Sequence, residues 1–275
     1  MVRKISGIIA LLTDYGYRDP YVGVLKGVIL SINPNAKIID VTHDITSYDI
    51  VEASYVLLTT YREFPEGTIF VVVVDPGVGS SRRAVLVESK RYFFIGPDNG
   101  VLRPAIDDDE VIRVVEITND KYFRKPVSTT FHGRDIFAPV AAYLSLGTDP
   151  IEFGKVISIS DLVKSRLVRQ CVVEGGWVKT NIIHVDRFGN VITGCRVEEL
   201  NSAIGGFREA GEYQIRVRGV ESYRAVYHRS FSLAKPGEIV IYPGSMGYIE
   251  IAVYMSSFSK KTDSKRGDDI WIRIL

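Results

Sequence analysis

The sequence predicts two domains: an α/β domain with a mostly parallel central sheet over residues 1–165, and an all-β, barrel-like domain over residues 166–275. Two observations carry this prediction. Up to about residue 150, apolar runs that end in glycine, proline or aspartate alternate with amphipathic helical segments, as in parallel α/β sheets. After about residue 165, short strand patterns follow one another with turn residues between them and no strong helix pattern, which indicates a barrel.

The strands of the first domain are expected in its most apolar runs, which are IIALLTD, AKIIDVTHD, TIFVVVVDPG and RYFFIGPDNG. Helical spacing of apolar residues predicts three helices, in DPYVGVLKGVILSI, DIVEASYVLLTTYREF and RDIFAPVAAYLSLG. Ligands bind beyond the carboxyl ends of the strands in such a sheet. Asp14, Asp75 and Asp98 fall at such ends and are therefore candidate site residues.

Strand patterns also dominate the second domain, in CVVEGGWVKTNIIHVDRFGNVIT, EYQIRVRGV, GEIVIYPGSMGYIEIAVYM and the final IWIRIL. The segment SDLVKSRLVRQ is the expected connection between the domains, and SKKTDSKRGDD is expected to be a polar loop.

Composition limits the classes of function. The 275 residues are 46% hydrophobic and 24% charged, with a net charge of +1, which predicts a folded protein whose main partner is neither nucleic acid nor an anionic membrane. No apolar run approaches the ~20 residues of a membrane helix. Cys171 and Cys195 lack a CxxC spacing, so we expect reduced thiols in a cytoplasmic protein, without a disulfide or a zinc site.

Polar residues at two loops could form a site. Asp75 ends the run VVVVD, and Arg82 follows a glycine-rich turn that is long enough to fold back on it. The two could be a structural ion pair or an oriented carboxylate with its guanidinium partner. His132 precedes a predicted helix, where sites are common, although a lone histidine can equally be structural.

A third candidate loop is DRFGN in the second domain. Phe188 could stack on a purine and Asn190 could read its edge, or the loop could simply be a β-turn around Gly189. The sequence contains no GxGxxG, P-loop, HExxH or GxSxG motif, which argues against the common nucleotide-binding and hydrolase classes.

Taken together, these stretches resemble the S-adenosyl-L-methionine (SAM) hydroxide adenosyltransferases, which are SAM hydrolases related to the SAM-dependent fluorinase and chlorinase. The matching segments are TDYGYRDPYVGVLKGVI, IIDVTHDITSYDI, FVVVVDPGVGSSRRAV, GPDNGVL, TFHGRDIFAPVAAYL, DRFGNVIT and GSMGYIEIAV, which occur in family order along almost the whole chain. The resemblance implies hydrolysis of SAM, or of its (R)-sulfonium epimer, to adenosine and L-methionine. It also implies a homotrimer with active sites at subunit interfaces, and no cofactor or metal.

The resemblance assigns the water site to Asp75, Arg82 and His132. In the fluorinase the position of Asp75 is a tyrosine, and the serine near the halide falls at Gly133, which favours water over halide here. Asp14 would hold the ribose hydroxyls. The other implied contacts to substrate are Asp19, Tyr21, Tyr48, Phe131, Asp186, Phe188, Asn190, Phe231, Ser245, Met246, Glu250, Val253 and Met255.

Among these residues, Met246 stands where the halogenases carry an arginine, so the clamp on the methionine carboxylate differs. Three other functions stay open: a SAM-dependent halogenase, a non-catalytic SAM or adenosine sensor, and a metal phosphohydrolase built on Asp14, Asp75 and Asp98.

Overall fold

The computed structural model describes residues 5–219 and 221–275, and contacts divide the chain into two compact units, Met1–Leu167 and Val168–Leu275. The first four positions of the predicted α/β domain, and Val220 in the predicted strand EYQIRVRGV, lie outside the described residues.

A seven-stranded sheet forms the centre of the first unit. Its strands are β1 (Ile8–Thr13), β2 (Lys37–Thr42), β3 (Ile69–Val73), β4 (Ala84–Ser89), β5 (Phe93–Pro97), β6 (Val111–Ile117) and β7 (Gly154–Ile157). Their order is β2-β1-β3-β5-β4-β6-β7; the first four strands are mutually parallel, and β4, β6 and β7 extend the sheet with antiparallel pairings. The predicted α/β architecture is confirmed.

Helices cover both faces of this sheet. They are α1 (Tyr21–Ile32), α2 (Ile50–Thr60), α3 (Arg103–Asp108) and α4 (Ala138–Ser145). Along β3, Val71 and Val73 pack into the core shared with α1 and α4, whereas Phe70 and Val72 pack into the core shared with α2 and α3. An unbroken apolar run is thus required, because a strand covered on both faces has no solvent side. None of the described helices is long and apolar enough to cross a membrane.

The second unit is a β-barrel with one additional strand. Its strands are β8 (Cys171–Glu174), β9 (Trp177–Val185), β10 (Val191–Arg196), β11 (Glu212–Val217), β12 (Glu221–Tyr227), β13 (Ile239–Pro243), β14 (Tyr248–Val253) and β15 (Asp269–Ile274). Seven of them close in the order β10-β14-β13-β12-β11-β15-β9, with β9 pairing back to β10. β8 pairs with the first part of β9, along the edge opposite β15. This confirms the predicted barrel-like class.

Two short helices occur in this unit, where the sequence showed no strong helix pattern. They are α5 (Val197–Ile204) and α6 (Phe258–Thr262), and most of α6 lies in the segment expected to be a polar loop. Acidic residues in the first turn of α5 and left-handed Gly205 at its end, with φ +74°, are helix signals that the sequence does contain. A helix as short as α6 shows no periodicity.

The expectation of two free thiols is wrong. Cys171 and Cys195 form a disulfide with their Cα atoms 4.9 Å apart. Strands β8 and β10 pair with successive parts of β9, which brings the two cysteines together beside that strand. Their separation along the chain contained no sign of this pairing.

Candidate active site

Two carboxylates lie at one edge of the parallel sheet. Asp14 directly follows β1 and Asp75 follows β3 by two residues, and the neighbouring strands are in register with Thr13 opposite Val73. Because both strands run in the same direction, their carboxyl ends deliver the two side chains to one place. Burial, and to a smaller degree the charge of Asp75, raise the pKa of Asp14 above its ordinary 3.8, although a backbone hydrogen bond opposes this.

Asp75 and Arg82 form a buried, two-point ion pair. The Arg82 Nε lies 3.1 Å from Oδ1 and 3.0 Å from Oδ2 of Asp75, and Nη2 donates to Oδ2 as well. Only 10% of the Arg82 side chain and 5% of the Asp75 side chain are exposed. Both are withdrawn from water, so the two groups depend on each other for compensation of their charges.

The glycine-rich turn between these residues brings Arg82 back to Asp75. Gly79 has φ +77°, and a Cβ built there would lie 2.2 Å from the carbonyl oxygen of Thr129. Only glycine combines this left-handed conformation with so close an approach of two backbones. The turn therefore packs directly on the segment that leads to His132.

His132 completes a chain of three side chains. Its Nδ1 lies 2.8 Å from the Nη2 of Arg82. An arginine can only donate hydrogen bonds, so Nδ1 must accept, and the proton of the neutral ring is on Nε2. Burial, followed by the charge of Arg82, lowers the pKa of His132 below its ordinary 6.5, which keeps the ring neutral.

Asp135 holds the loop that carries His132. It is completely buried and accepts hydrogen bonds from the backbone N–H of Ser128, at 2.8 Å, and from the guanidinium of Arg134. Burial alone would raise the pKa of Asp135, but these bonds overcome it and lower the pKa. His132 then leads into a π-helical segment, Gly133–Phe137, whose Phe137 ring packs 5.4 Å from the Arg82 guanidinium.

A cavity of about 410 Å³ opens beside these groups. Its lining residues are Asp14, Tyr15, Asp19, Tyr21, Ser47, Tyr48, Val73, Asp75, Val78, Thr130 and Gly133. Six of them were expected from the sequence, and Arg82 and His132 extend from Asp75 as the hydrogen-bonded chain described above. Sequence reasoning missed the other five; Tyr15, Ser47 and Thr130 are each adjacent in sequence to an expected residue, which is the only signal they carried.

Asp14 is tied to Tyr48 at the cavity rim. The backbone N–H of Tyr48 donates to Asp14 Oδ2 at 2.8 Å. Tyr48 has φ +67°, an unfavourable conformation for a residue with a side chain, and its side chain is 70% exposed. The strained turn therefore fixes one oxygen of Asp14 and presents an aromatic ring at the entrance.

Aromatic rings form a second wall. Phe131 contacts Tyr15 and Tyr21 edge-on, with centroids 5.9 Å and 5.4 Å away. Phe131 therefore lies behind two lining residues, while Asp19 and Tyr21 line the cavity themselves.

In the second unit, the expected loop Asp186–Asn190 is a tight turn held by its own aspartate. Asp186 Oδ1 accepts from the backbone N–H groups of Phe188 and Asn190, and Oδ2 accepts from the Asn190 side chain, each at 2.9 Å. Both carboxylate oxygens thus serve the turn. Phe188 at its tip is 76% exposed, and Gly189 has φ +82°.

Glu250 on β14 lies near this turn. The hydroxyl of Tyr242 donates to Glu250 Oε2. Burial raises the pKa of Glu250, and the charge of Asp186 adds to the effect. Phe231 packs against Tyr242 with ring centroids 4.5 Å apart, which connects three of the expected positions in this unit.

The remaining expected residues lie at the ends of β13 and β14. Ser245 and Met246 are in the turn between these strands, with Met246 40% exposed. The carbonyl oxygen of Val253 accepts from the Ser256 N–H at 3.0 Å, and Met255 has φ +58° with a side chain 78% exposed. The backbone carbonyl of Val253 therefore already has a partner.

Asp98 does not join Asp14 and Asp75. It is buried, accepts from the backbone N–H of Val163 at 2.8 Å and pairs with Arg83 at 3.3 Å. Within residues 5–219 and 221–275, no group of three or more His, Cys, Asp or Glu side chains is arranged to hold a metal ion. The phosphohydrolase hypothesis thus loses the third of its carboxylates.

Comparison with known proteins identifies relatives of both units. Residues 9–154 match the SAM hydroxide adenosyltransferase N-terminal domain, and residues 180–271 match the C-terminal domain. An (R)-S-adenosyl-L-methionine hydrolase of Methanocaldococcus jannaschii is 34% identical over 98% of this chain and 96% of its own length. A fluorinase of an Actinoplanes species is 29% identical over 89% and 90%. The crystal structure of an uncharacterized conserved protein from Thermotoga maritima superposes with a TM-score of 0.90 at 38% identity, covering 96% of this chain and 99% of that one.

Proposed function

The chain belongs to the SAM hydroxide adenosyltransferase family, and we propose that it hydrolyses SAM to adenosine and L-methionine. The observation that carries this proposal is the hydrogen-bonded chain Asp75–Arg82–His132 beside the cavity. Because a relative is named as a hydrolase of the (R) epimer, we propose (R)-SAM as the preferred substrate.

The reaction is an in-line displacement at the ribose C5′. The water oxygen forms a bond to C5′ while the C5′–S bond breaks. The electron pair of the C5′–S bond goes to the sulfur atom. Methionine leaves as a neutral thioether, so the leaving group needs no acid. The water proton must be released. The site therefore has to position a water molecule and accept or guide its proton.

Asp75 is the proton acceptor in this proposal. Neutral His132 has its Nδ1 engaged by Arg82 and offers Nε2–H, which is a donor. Arg82 has no lone pair to give. The carboxylate of Asp75 is then the one acceptor of the three, and its double contact with Arg82 holds it in a single orientation. His132 in turn keeps Arg82 in place and can stabilise the hydroxide as it forms.

The same carboxylate favours water over a halide. Repulsion between the Asp75 carboxylate and a halide anion about 4 Å away would cost ~4 kcal/mol at an effective dielectric constant of about 20. A neutral water molecule avoids this cost. The halogenase hypothesis would require an anion to enter beside a buried carboxylate whose charge is already paired with Arg82.

We assign substrate groups to the remaining residues. Asp14, with one oxygen fixed by Tyr48, binds the two ribose hydroxyls; Asp19 and Tyr21 face the methionine end. Adenine stacks on exposed Phe188, and Asn190 meets its edge through the amide oxygen and the second N–H, because one N–H already donates to Asp186. Apolar side chains as exposed as Phe188 and Met255 fit burial against another copy, so we propose a homotrimer with interfacial sites.

We also propose a cytoplasmic location, where SAM is synthesised.

The proposed function is tested with (R)- and (S)-SAM in ¹⁸O-labelled water containing chloride. We expect adenosine with the label on its 5′ oxygen, faster release from the (R) epimer, and no 5′-chloro product; Asp75→Asn is the inactive control. Unlabelled adenosine would contradict attack by water at C5′. Calorimetric binding of SAM without any turnover would instead establish a sensor.

A further inference from the structure

Tyr15 is held rigidly inside the cavity by its neighbours. It follows Asp14 directly, and its ring lies 5.7 Å from that of Tyr21 and 5.9 Å from that of Phe131, both at steep angles. Its backbone N–H donates to the Thr13 hydroxyl at 3.2 Å. With the backbone and the ring both fixed, the position of the phenolic oxygen is also fixed.

This oxygen lies over the backbone of Gly133. A Cβ built on Gly133 would lie 2.5 Å from Tyr15 Oη, but 3.5 Å from Cζ, which is an ordinary contact. The hydroxyl therefore occupies the space that a side chain at residue 133 would need. The steric conflict comes from the oxygen atom alone.

The charges of the site keep the hydroxyl protonated. Burial, and then the charges of Asp14 and Asp75, raise the pKa of Tyr15 well above its ordinary 10, and the charge of Arg82 opposes them only in part. The hydroxyl therefore keeps its proton and can donate a hydrogen bond in the cavity that Asp14 and Asp75 also line.

We infer that the Tyr15 hydroxyl donates a hydrogen bond to the attacking oxygen and sets the size of the water site by closing the space above Gly133. This inference rests on the proposed function. As water gives its proton to Asp75, the oxygen becomes hydroxide-like with three lone pairs. One attacks C5′, and the others accept hydrogen bonds, for which Tyr15 Oη–H and His132 Nε2–H are the donors.

Steady-state kinetics of Tyr15→Phe test the donor role. The ring and its two aromatic contacts remain, so we expect kcat to fall about ten- to hundredfold, while KM for SAM and the Kd for adenosine change less than about twofold. The matched control is Tyr143→Phe, which removes a hydroxyl from the same core, outside the cavity, and should leave activity unchanged.

A double-mutant cycle with Gly133→Ala tests the steric role without relying on turnover. Gly133→Ala alone should lower Tm by about 4 °C or more, because the new methyl group meets the hydroxyl. In Tyr15→Phe/Gly133→Ala the nearest atom is Cζ at 3.5 Å, so Tm should return close to that of Tyr15→Phe. Additive Tm changes would overturn the steric part.

A neutral alternative nucleophile tests the size of the water site. In water containing methanol, attack by the alcohol oxygen breaks C5′–S, releases methionine and passes the hydroxyl proton to Asp75, which gives 5′-O-methyladenosine. We expect Tyr15→Phe to yield a larger fraction of this ether than the wild type, since loss of the oxygen opens room for a methyl group. An unchanged product ratio would overturn size selection.

The outcomes separate this inference from the proposed function. If the wild type releases no adenosine from either epimer, the proposed function fails and the donor role fails with it. If the wild type is active and Tyr15→Phe is equally active, only the role of Tyr15 fails. A raised KM with unchanged kcat in Tyr15→Phe would indicate that the Tyr15 hydroxyl binds the ribose and not the attacking water, which also overturns the inference.

Discussion

Arg82 donates to the Nδ1 of His132 at 2.8 Å while its guanidinium also holds Asp75. Each outer group depends on the middle one: the carboxylate for its countercharge, the imidazole for its tautomer. The first two predictions follow from this dependence.

Replacement of Arg82 should destabilise the folded protein and also abolish its activity. Arg82→Met leaves the Asp75 carboxylate buried without its partner, so we expect the free energy of unfolding to fall by ~3–5 kcal/mol, measured by urea denaturation. The double variant Asp75→Asn/Arg82→Met removes both charges and should recover part of the loss. If the double variant is no more stable than Arg82→Met, the ion pair is not the source of the effect.

Acidic pH should inactivate the protein through His132. A protonated ring cannot accept from Arg82, so kcat should fall as pH decreases through the lowered pKa of His132, below 6.5. The unfolded chain binds this proton at a higher pH than the folded one, so stability should also decrease as pH falls below about 6.5. A pH–rate profile, with NMR titration of His132, measures both. An acidic limb centred above 6.5 would contradict the assigned tautomer.

The charge of Asp75 should influence the protonation of Asp14. Protonation of Asp14 removes an acceptor for ribose, so adenosine affinity should fall at a pH above the ordinary 3.8 of an aspartate. Asp75→Asn removes one cause of the raised pKa and should shift the loss of affinity to lower pH. Calorimetric titration of adenosine across this pH range measures the shift. An identical pH dependence in the wild type and in Asp75→Asn would show that the charge of Asp75 does not affect Asp14.

Tyr48 should show opposite effects on stability and on binding. Its positive φ is costly for tyrosine but not for glycine, and little packing is lost because the ring is exposed. Tyr48→Gly should therefore keep or raise the stability, by up to ~1 kcal/mol, while KM for SAM increases. Tyr48→Ala is the matched control, since it loses the ring and keeps the strain. Equal KM values for the wild type, Tyr48→Gly and Tyr48→Ala would show that the Tyr48 ring does not contribute to substrate binding.

Local patterns were sufficient for the fold and for part of the site. The apolar run that ends at Asp75 predicted a buried strand, and neighbouring parallel strands end at one edge, so the proximity of Asp14 and Asp75 was predicted from the sequence; the same rule was wrong for Asp98. Two short helices were missed: the five residues of α6 have too little periodicity to be recognised, whereas α5 was missed although its acidic first turn and Gly205 are helix signals.

The sequence by itself determined the order of the elements, the two-part architecture, the family resemblance and the residue types at the cavity. Only the tertiary structure decided that Arg82 engages His132, that the Tyr15 hydroxyl fills the space above Gly133, that Asp98 serves a distant loop and that Cys171 meets Cys195. The physical reason is that periodicity reports which face of each element is buried. A contact between residues far apart in the chain depends instead on how separate elements pack, and no local pattern records that.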